Sequence, residues 1–158
     1  MNIGMTWQTV SSSSDATFAL GKQFGRNCKG GELFVLSSDL GGGKTTITKG
    51  MAKGMGSEDI ASSPTFTISK VYKGKDLDMR HFDFYRLNEG GLVAQELAEY
   101  INDPKTVLVV EWGDIINEAL PDDRITIEFT RFAHDENSRE IKVIYPDKFN
   151  YILDGVIE

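Results

Sequence analysis

A short apolar run, a glycine-rich loop and a helical pattern follow one another near the start of this chain. Residues 33–36 are typical of a buried parallel strand, and residues 44–55 have the pattern of a helix. The loop between them reads Gly41-x-Gly43-Lys44-Thr45, with Ser38 where the full phosphate-loop pattern has its first glycine. Strand, glycine loop and helix in this order predict a phosphate-binding loop and therefore a nucleotide site.

The chemistry of such a loop assigns roles to single residues. Lys44 would reach the β- and γ-phosphates, and the Thr45 hydroxyl would be a ligand of Mg²⁺. A magnesium–nucleotide site also needs a carboxylate nearby, usually at the end of a neighbouring parallel strand. Glu111 ends the second apolar strand, residues 106–111, and Asp83 lies in an aromatic stretch, so both are candidates.

The few histidines and the single cysteine argue against other kinds of site. His81 and His134 are the only histidines, and two sparse histidines do not predict a metal centre. We interpret His81 as a structural residue whose hydrogen bonds are satisfied. Cys28 alone can form neither an internal disulfide nor a cysteine-based zinc finger. No nucleophile–base pair for covalent catalysis stands out.

Length and charge narrow the class of protein. The chain has 158 residues and a net charge of −7, from 24 acidic and 17 basic residues. This balance argues against a protein whose main task is to grip DNA or RNA electrostatically. No apolar run approaches the roughly 20 residues that span a bilayer, and no secretory signal is recognisable. We therefore expect one cytoplasmic domain over residues 1–158, without membrane or DNA partners.

The remaining patterns predict how the chain is arranged around the loop. They indicate a first helix that begins with a capping box at Ser12 and Asp15, and a later helix over residues 92–101. They also indicate a hairpin of residues 66–72 and 77–84, and two C-terminal antiparallel strands joined by residues 133–137. Together these elements predict an α/β fold of the P-loop NTPase-like, three-layer type. Its mixed central sheet would have antiparallel C-terminal strands and would bring Lys44 and Glu111 to one edge.

Four motifs, in order and with matching spacing, resemble those of the TsaE (YjeE) family of bacterial ATPases. Residues 39–46 (DLGGGKTT) are similar to the family's D-L-G-A-G-K-T-T loop, and residues 63–67 (SPTFT) match its S-P-T-F-T segment. Residues 81–87 (HFDFYRL) resemble H-F-D-L-Y-R-L, and residues 110–112 (VEW) match V-E-W. The resemblance runs from about Ser14 to Val143, whereas residues 88–95 lack the family's acidic D-P-E-E-L.

The resemblance implies an accessory ATPase in the formation of N6-threonylcarbamoyladenosine at position 37 of tRNAs that read codons beginning with A. It implies ATP/ADP and Mg²⁺ as cofactors and a TsaD–TsaB complex as partner, with tRNA contacted only indirectly. The resemblance implies catalytic roles for Lys44, Asp83 and Glu111. It implies that Thr45 and Glu111 bind the metal. The resemblance also implies a switch-like loop at Thr65. The implied nucleotide contacts are Ser14, Asp15, Asp39, Leu40, Gly41, Gly42, Gly43, Lys44, Thr45, Thr46, Trp112 and Arg139.

Two other functions stay open from the residues alone. A P-loop small-molecule kinase is the first alternative, although the arginines do not form the cationic lid that a kinase places over the transferred phosphoryl group. A nucleotide-binding interaction module without useful hydrolysis is the second, because Ser38 replaces the first glycine of the loop. ATPase assays with and without the TsaD–TsaB pair, together with a panel of phosphoryl acceptors, distinguish the three.

Overall fold

The computed structural model describes residues 4–38, 43–58, 69–83, 95, 97–111 and 120–156, and gives no side-chain description for Ser38, Ser69 and Asp83. Within these ranges, two helices separate the first three of seven strands, and a 3₁₀ helix follows the last strand. The strands are β1 (Gly4–Ser11), β2 (Leu33–Ser38), β3 (Ser69–Lys73), β4 (Asp78–Asp83), β5 (Thr106–Glu111), β6 (Ile125–Phe132) and β7 (Asp135–Pro146). The helices are α1 (Ser14–Asn27), α2 (Lys44–Gly54) and a 3₁₀ helix (Asp147–Leu153). No helix in the described ranges is both long and apolar enough to cross a membrane.

The strands form one mixed sheet in the order β1-β7-β6-β2-β5-β4-β3. The central strands β6, β2, β5 and β4 run parallel, while β1, β7 and β3 are antiparallel to their neighbours. The predicted class is therefore confirmed, with antiparallel pairing at both edges of the sheet. The carboxyl ends of β2, β5 and β4 meet at one edge, where open α/β sheets place their ligands.

Both faces of the sheet are covered, which explains why the central strands are continuously apolar. On one face, α1 and α2 pack over a cluster that includes Phe34, Val109 and Ile127. On the other face, Leu97 from the helical residues 97–100 packs with Leu108 and Val110. All six residues of β5 are buried. This central strand therefore has the rigidity that a positioned carboxylate at its end requires.

Three local predictions need correction. Ser13, not Ser12, caps α1: its Oγ accepts a hydrogen bond from the backbone N–H of Ala16 at 3.1 Å. The connection between β6 and β7 is shorter than predicted, because β7 already begins at Asp135. Strand β1 was not predicted; it pairs with β7 along its whole length, from Gly4↔Pro146 to Ser11↔Arg139.

Candidate functional site

The start of α1 is fixed by a group of hydroxyl side chains. Ser13 caps the helix, and the Thr17 hydroxyl also hydrogen-bonds the Ser13 carbonyl at 3.3 Å. The hydroxyls of Ser11 and Thr17 lie 2.7 Å apart, which links the last residue of β1 to the first turn of the helix. Serine and threonine suit this position because a short hydroxyl side chain satisfies helix N–H groups that have no partner within the helix.

The start of α2 lacks such a cap. Its N-cap residue is Gly43, which has no side chain and adopts a left-handed φ of 110°. A Cβ at this position would also meet the Phe129 ring at 3.4 Å. The first turn carries Lys44, Thr45 and Thr46 and no acidic residue. The positive end of the α2 dipole is therefore suited to an external anion.

Helices α1 and α2 lie side by side in the same direction. Glycines four residues apart on both helices allow their backbones to touch: an added Cβ would come within 2.4 Å of a facing backbone oxygen at Gly21, Gly25, Gly50 and Gly54. Gly21 faces Ile47 and Gly25 faces Met51, so the contact advances along both helices together. Both N-termini therefore lie at the same end, and their dipoles act on the same region.

A cavity of about 270 Å³ opens at this shared end. It is lined by the two helix starts and by the tip of the β6–β7 hairpin, through Ser13, Ser14, Thr17, Gly43, Thr45, Thr46, Glu136, Asn137 and Arg139. A larger hollow of about 500 Å³ lies beside β6 and β7, near Gly4 and Asp122. Neither α1 nor α2 begins at that hollow, which meets only the start of the short 3₁₀ helix at Pro146, so the smaller cavity is the better phosphate site.

Arg139 is held in place by its own hairpin. Its Nη1 donates hydrogen bonds to the carbonyl of Ser138 at 2.9 Å and to the carbonyl of Glu136. The Ser138 hydroxyl in turn binds the Asp135 carboxylate at 2.7 Å, and this hydrogen bond, with a backbone one from Asn137, lowers the pKa of Asp135. The hairpin is thus preorganised and presents a cation to the cavity wall.

The carboxylate candidates lie where the parallel strands end. Glu111 is in register with Leu36 of β2 on one side and with Asp83 of β4 on the other. It is only 3% exposed, and its neighbour His81 is 1% exposed. Strand alternation places Glu111 on the same face as Val109, which is the face covered by α1 and α2. Glu111 therefore belongs to the side of the sheet on which Lys44 begins α2.

The contact between His81 and Glu111 is close but imperfect. His81 Nε2 and Glu111 Oε1 lie 3.3 Å apart, which is within ion-pair distance. Their alignment does not meet hydrogen-bond geometry, so among the described residues neither ring nitrogen of His81 nor Glu111 Oε1 has a hydrogen-bond partner. A buried polar group left in this state costs about 1–3 kcal/mol. The hydrogen bonds expected of a satisfied structural His81 are therefore not found among the described residues.

The described side chains can hold a divalent cation only with help from water and phosphate. In the part of the chain that the structure describes, no group of three or more His, Cys, Asp or Glu side chains could hold a metal. A protein-only cage is thus absent there, whereas Mg²⁺ commonly takes one or two protein oxygens and completes its shell with water and phosphate. The Glu111 carboxylate, whose Oε1 faces His81 and has no hydrogen-bond partner among the described residues, fits that role through its second oxygen.

Comparison with known proteins identifies the family. The family model described as "Threonylcarbamoyl adenosine biosynthesis protein TsaE" matches residues 11–141. The chain belongs to the TsaE family. A "tRNA threonylcarbamoyladenosine biosynthesis protein TsaE" from Bacillus subtilis is 40% identical over 139 residues, covering 87% of this chain and 83% of the relative. One from Treponema pallidum is 36% identical over 138 residues, covering 85% and 97%.

A solved structure agrees with this membership. The chain resembles the crystal structure of Bacillus subtilis YdiB with a TM-score of 0.74 at 33% identity. The match covers 98% of this chain and 94% of that one. The resemblance to the TsaE family that the motifs indicated is therefore confirmed, and so is the fold class.

The structure brings together some of the residues predicted from the TsaE motifs. Those that line the cavity are Ser14, Gly43, Thr45, Thr46 and Arg139. Lys44 is buried at the start of α2, and Glu111 and Asp83 end adjacent strands. Asp15 is exposed in the first turn of α1 and is not among the residues that line the cavity. The positions outside the described residues are Asp39, Leu40, Gly41, Gly42, Thr65 and Trp112.

Sequence reasoning missed four cavity residues of this TsaE protein. Ser13 and Thr17 line it from α1, and Glu136 and Asn137 line it from the hairpin. The run of four serines indicates that one of them caps the helix, but it does not single out Ser13, since each serine in it is a possible cap. The hairpin residues carried no such signal, because only the pairing of β7 with β1 and β6 brings their turn to the helix starts.

Proposed function

We propose that this TsaE protein binds ATP and ADP with Mg²⁺ in the cavity between the starts of α1 and α2, and that it hydrolyses ATP. We further propose that this activity serves tRNA threonylcarbamoyladenosine biosynthesis in the cytoplasm, the process named in the descriptions of its relatives. The observation that carries the proposal is the convergence of two parallel helix N-termini and Arg139 on one cavity.

Phosphate binding follows from the charges around the cavity. The uncapped N-terminus of α2 offers backbone N–H groups, and α1 adds the positive end of a second dipole. Lys44 and Arg139 contribute full positive charges in a chain whose net charge is −7. Two positioned cations and two helix ends outnumber the one carboxylate among the described residues that line the cavity, Glu136, so the overall acidity of the protein does not exclude a triphosphate there.

Metal binding is assigned to Thr45 and Glu111. Thr45 lines the cavity, and Glu111 ends the strand beside the one that leads into the loop. When bound, Mg²⁺ would neutralise charge on the β- and γ-phosphates. Asp83, in register with Glu111, is the proposed catalytic carboxylate that orients the attacking water.

The partner is proposed to be a TsaD–TsaB complex, with tRNA reached through it. The negative net charge argues against a protein that holds a polyanionic tRNA by itself. Thr65 is proposed as a switch residue that responds to the γ-phosphate, and Trp112 as a neighbour of the nucleotide. These roles rest on the family motifs, as do those of the loop residues Asp39, Leu40, Gly41 and Gly42.

The test compares two lysine variants of the same helix. Lys44→Ala should weaken ADP binding by tenfold or more and abolish turnover, because the cation nearest the phosphates is lost. Lys49→Ala, an exposed lysine on α2, is the matched control and should behave as wild type. ADP binding is measured by calorimetry, and hydrolysis is measured with and without the TsaD–TsaB pair.

Two outcomes would overturn the proposal. Wild-type nucleotide affinity in Lys44→Ala would remove the phosphate site. Phosphoryl transfer to a small acceptor, in place of release of inorganic phosphate, would make the protein a kinase.

A further inference from the structure

The buried pair of His81 and Glu111 has a role that the nucleotide cavity does not explain. The two residues project from neighbouring strands, β4 and β5, whose ladder pairs His81 with Val109 and Asp83 with Glu111. Both side chains are almost fully buried, and Nε2 and Oε1 are 3.3 Å apart. His81 is 1% exposed, so its ring has almost no free surface with which to contact a nucleotide.

We propose that His81 is a positioning residue that sets the orientation of the Glu111 carboxylate for the divalent cation. The inference rests on the proposed function, in which Glu111 helps to hold Mg²⁺. A glutamate side chain has several rotatable bonds, whereas an imidazole on a buried strand has few alternatives. His81 attracts Oε1, so Oε2 is the oxygen left for the metal or its water. Groups behind a metal ligand commonly fix its orientation in this way.

The unsatisfied polar atoms favour this role over a purely structural one. A histidine kept only to stabilise the core would be expected to hydrogen-bond through at least one ring nitrogen. Among the described residues, neither nitrogen of His81 does so. Buried polar atoms without hydrogen bonds lower the stability of a protein, and such unfavourable features are typical of functional sites, where binding requires a particular geometry.

The experiment measures binding of Mn²⁺, as a spectroscopic substitute for Mg²⁺, to the ADP-loaded protein by electron paramagnetic resonance. His81→Leu should weaken Mn²⁺ binding by about tenfold or more, the range found when partners of metal ligands are removed. ADP binding without metal should stay unchanged, which a general loss of structure would not allow. His81→Gln is the conservative variant, because its amide can place a donor near Oε1, and it should restore Mn²⁺ affinity to within about threefold of wild type.

A double-mutant cycle tests whether His81 acts through Glu111. In a Glu111→Gln background, His81→Leu should cause no further loss of Mn²⁺ affinity, since the carboxylate it orients is gone. Losses that multiply would show that His81 acts independently and would overturn the inference. Glu111→Gln with wild-type Mn²⁺ affinity would instead contradict the metal assignment in the proposed function, so the two failures are distinguishable.

His81→Asn provides a second variant if His81→Leu does not fold. Its side chain is polar but too short to bring a donor to the position of Nε2, so it should lose Mn²⁺ affinity while His81→Gln keeps it. Folding of each variant is checked by circular dichroism. Equal, wild-type affinity in both amide variants would overturn the inference.

Discussion

The close contact of α1 with α2 predicts a large effect from a single methyl group. In Gly25→Ala the new Cβ would lie 2.1 Å from the backbone oxygen of Met51. An ordinary contact begins at 3.4 Å, so the two backbones would have to separate by about 1.3 Å. The Met51 carbonyl lies in the last turn of α2 and is held there, because it accepts a hydrogen bond from the Met55 N–H at 3.0 Å. The strain therefore falls on the helix–helix packing.

The expected magnitude is the difference between two opposing effects. Overpacking of a buried contact costs about 1–3 kcal/mol, and a backbone clash of this depth belongs at the upper end. Alanine is favoured over glycine within a helix by about 1 kcal/mol, which offsets part of that cost. We therefore expect Gly25→Ala to lower the free energy of unfolding by about 2 kcal/mol, measured by urea unfolding followed by circular dichroism.

Two controls separate these effects. Ala19→Gly, at an exposed position of α1, measures the helix preference alone and should cost about 1 kcal/mol. Gly4→Ala adds a methyl group where no atom lies within 4 Å and should change stability by less than about 0.5 kcal/mol. A Gly25→Ala protein as stable as wild type, or more stable, would refute the claim that these glycines hold the helices together.

Three further predictions concern the cap, the C-terminal helix and the hairpin. Ser13→Ala should lower the free energy of unfolding by about 1 kcal/mol in urea, and Ser12→Ala should not, because only Ser13 caps α1. Burial and then the hydrogen bond to Glu32 raise the pKa of Tyr151, so stability should fall as the pH rises above about 10, where the unfolded chain loses this proton. Thermal unfolding between pH 9 and about pH 11 should show this loss, and a Tyr151→Phe protein with an equally steep decline would exclude the residue as its source. Arg139→Ala should weaken ADP binding about tenfold in calorimetry, as loss of a charged hydrogen-bond donor does, and unchanged affinity would remove it from the site.

The central strands could be predicted because a strand that is buried on both faces appears in the sequence as a continuous apolar run. The apolar runs at residues 33–36 and 106–111 correspond to β2 and β5. The alternating residues of β6 and β7 likewise reflect one buried face and one wetter face. Strand β1 shows neither of these two patterns in the sequence. It is an edge strand whose exposed residues include the apolar Met5 and Val10 as well as polar ones, and a ladder with β7 near the far end of the chain stabilises it.

Some features of the candidate site could likewise be predicted from the sequence, and others could not. The positions of Lys44 at a helix start and of Glu111 at a strand end could be predicted from the sequence, while their roles in binding phosphate and metal stay predictions. The contact of His81 with Glu111 could not, since it depends on the parallel register of β4 and β5. The choice between Ser12 and Ser13 as the cap is also invisible in the sequence, because both residues can make the same hydrogen bond.

The pairing of β1 with β7 links the cavity to the order in which the ribosome makes the chain. Ser11 at the end of β1 is in register with Arg139 of β7. Strand β1 is synthesised first, but it cannot form this side of the cavity until β7 has also been synthesised. Pairings this distant in sequence form slowly, and the amino-terminal part of a protein emerges first. A nascent polypeptide with α1 and α2 already formed would still lack the hairpin. Under the proposed function, nucleotide capture therefore becomes possible only after synthesis has passed β7, and ATP could not serve as an early template for folding.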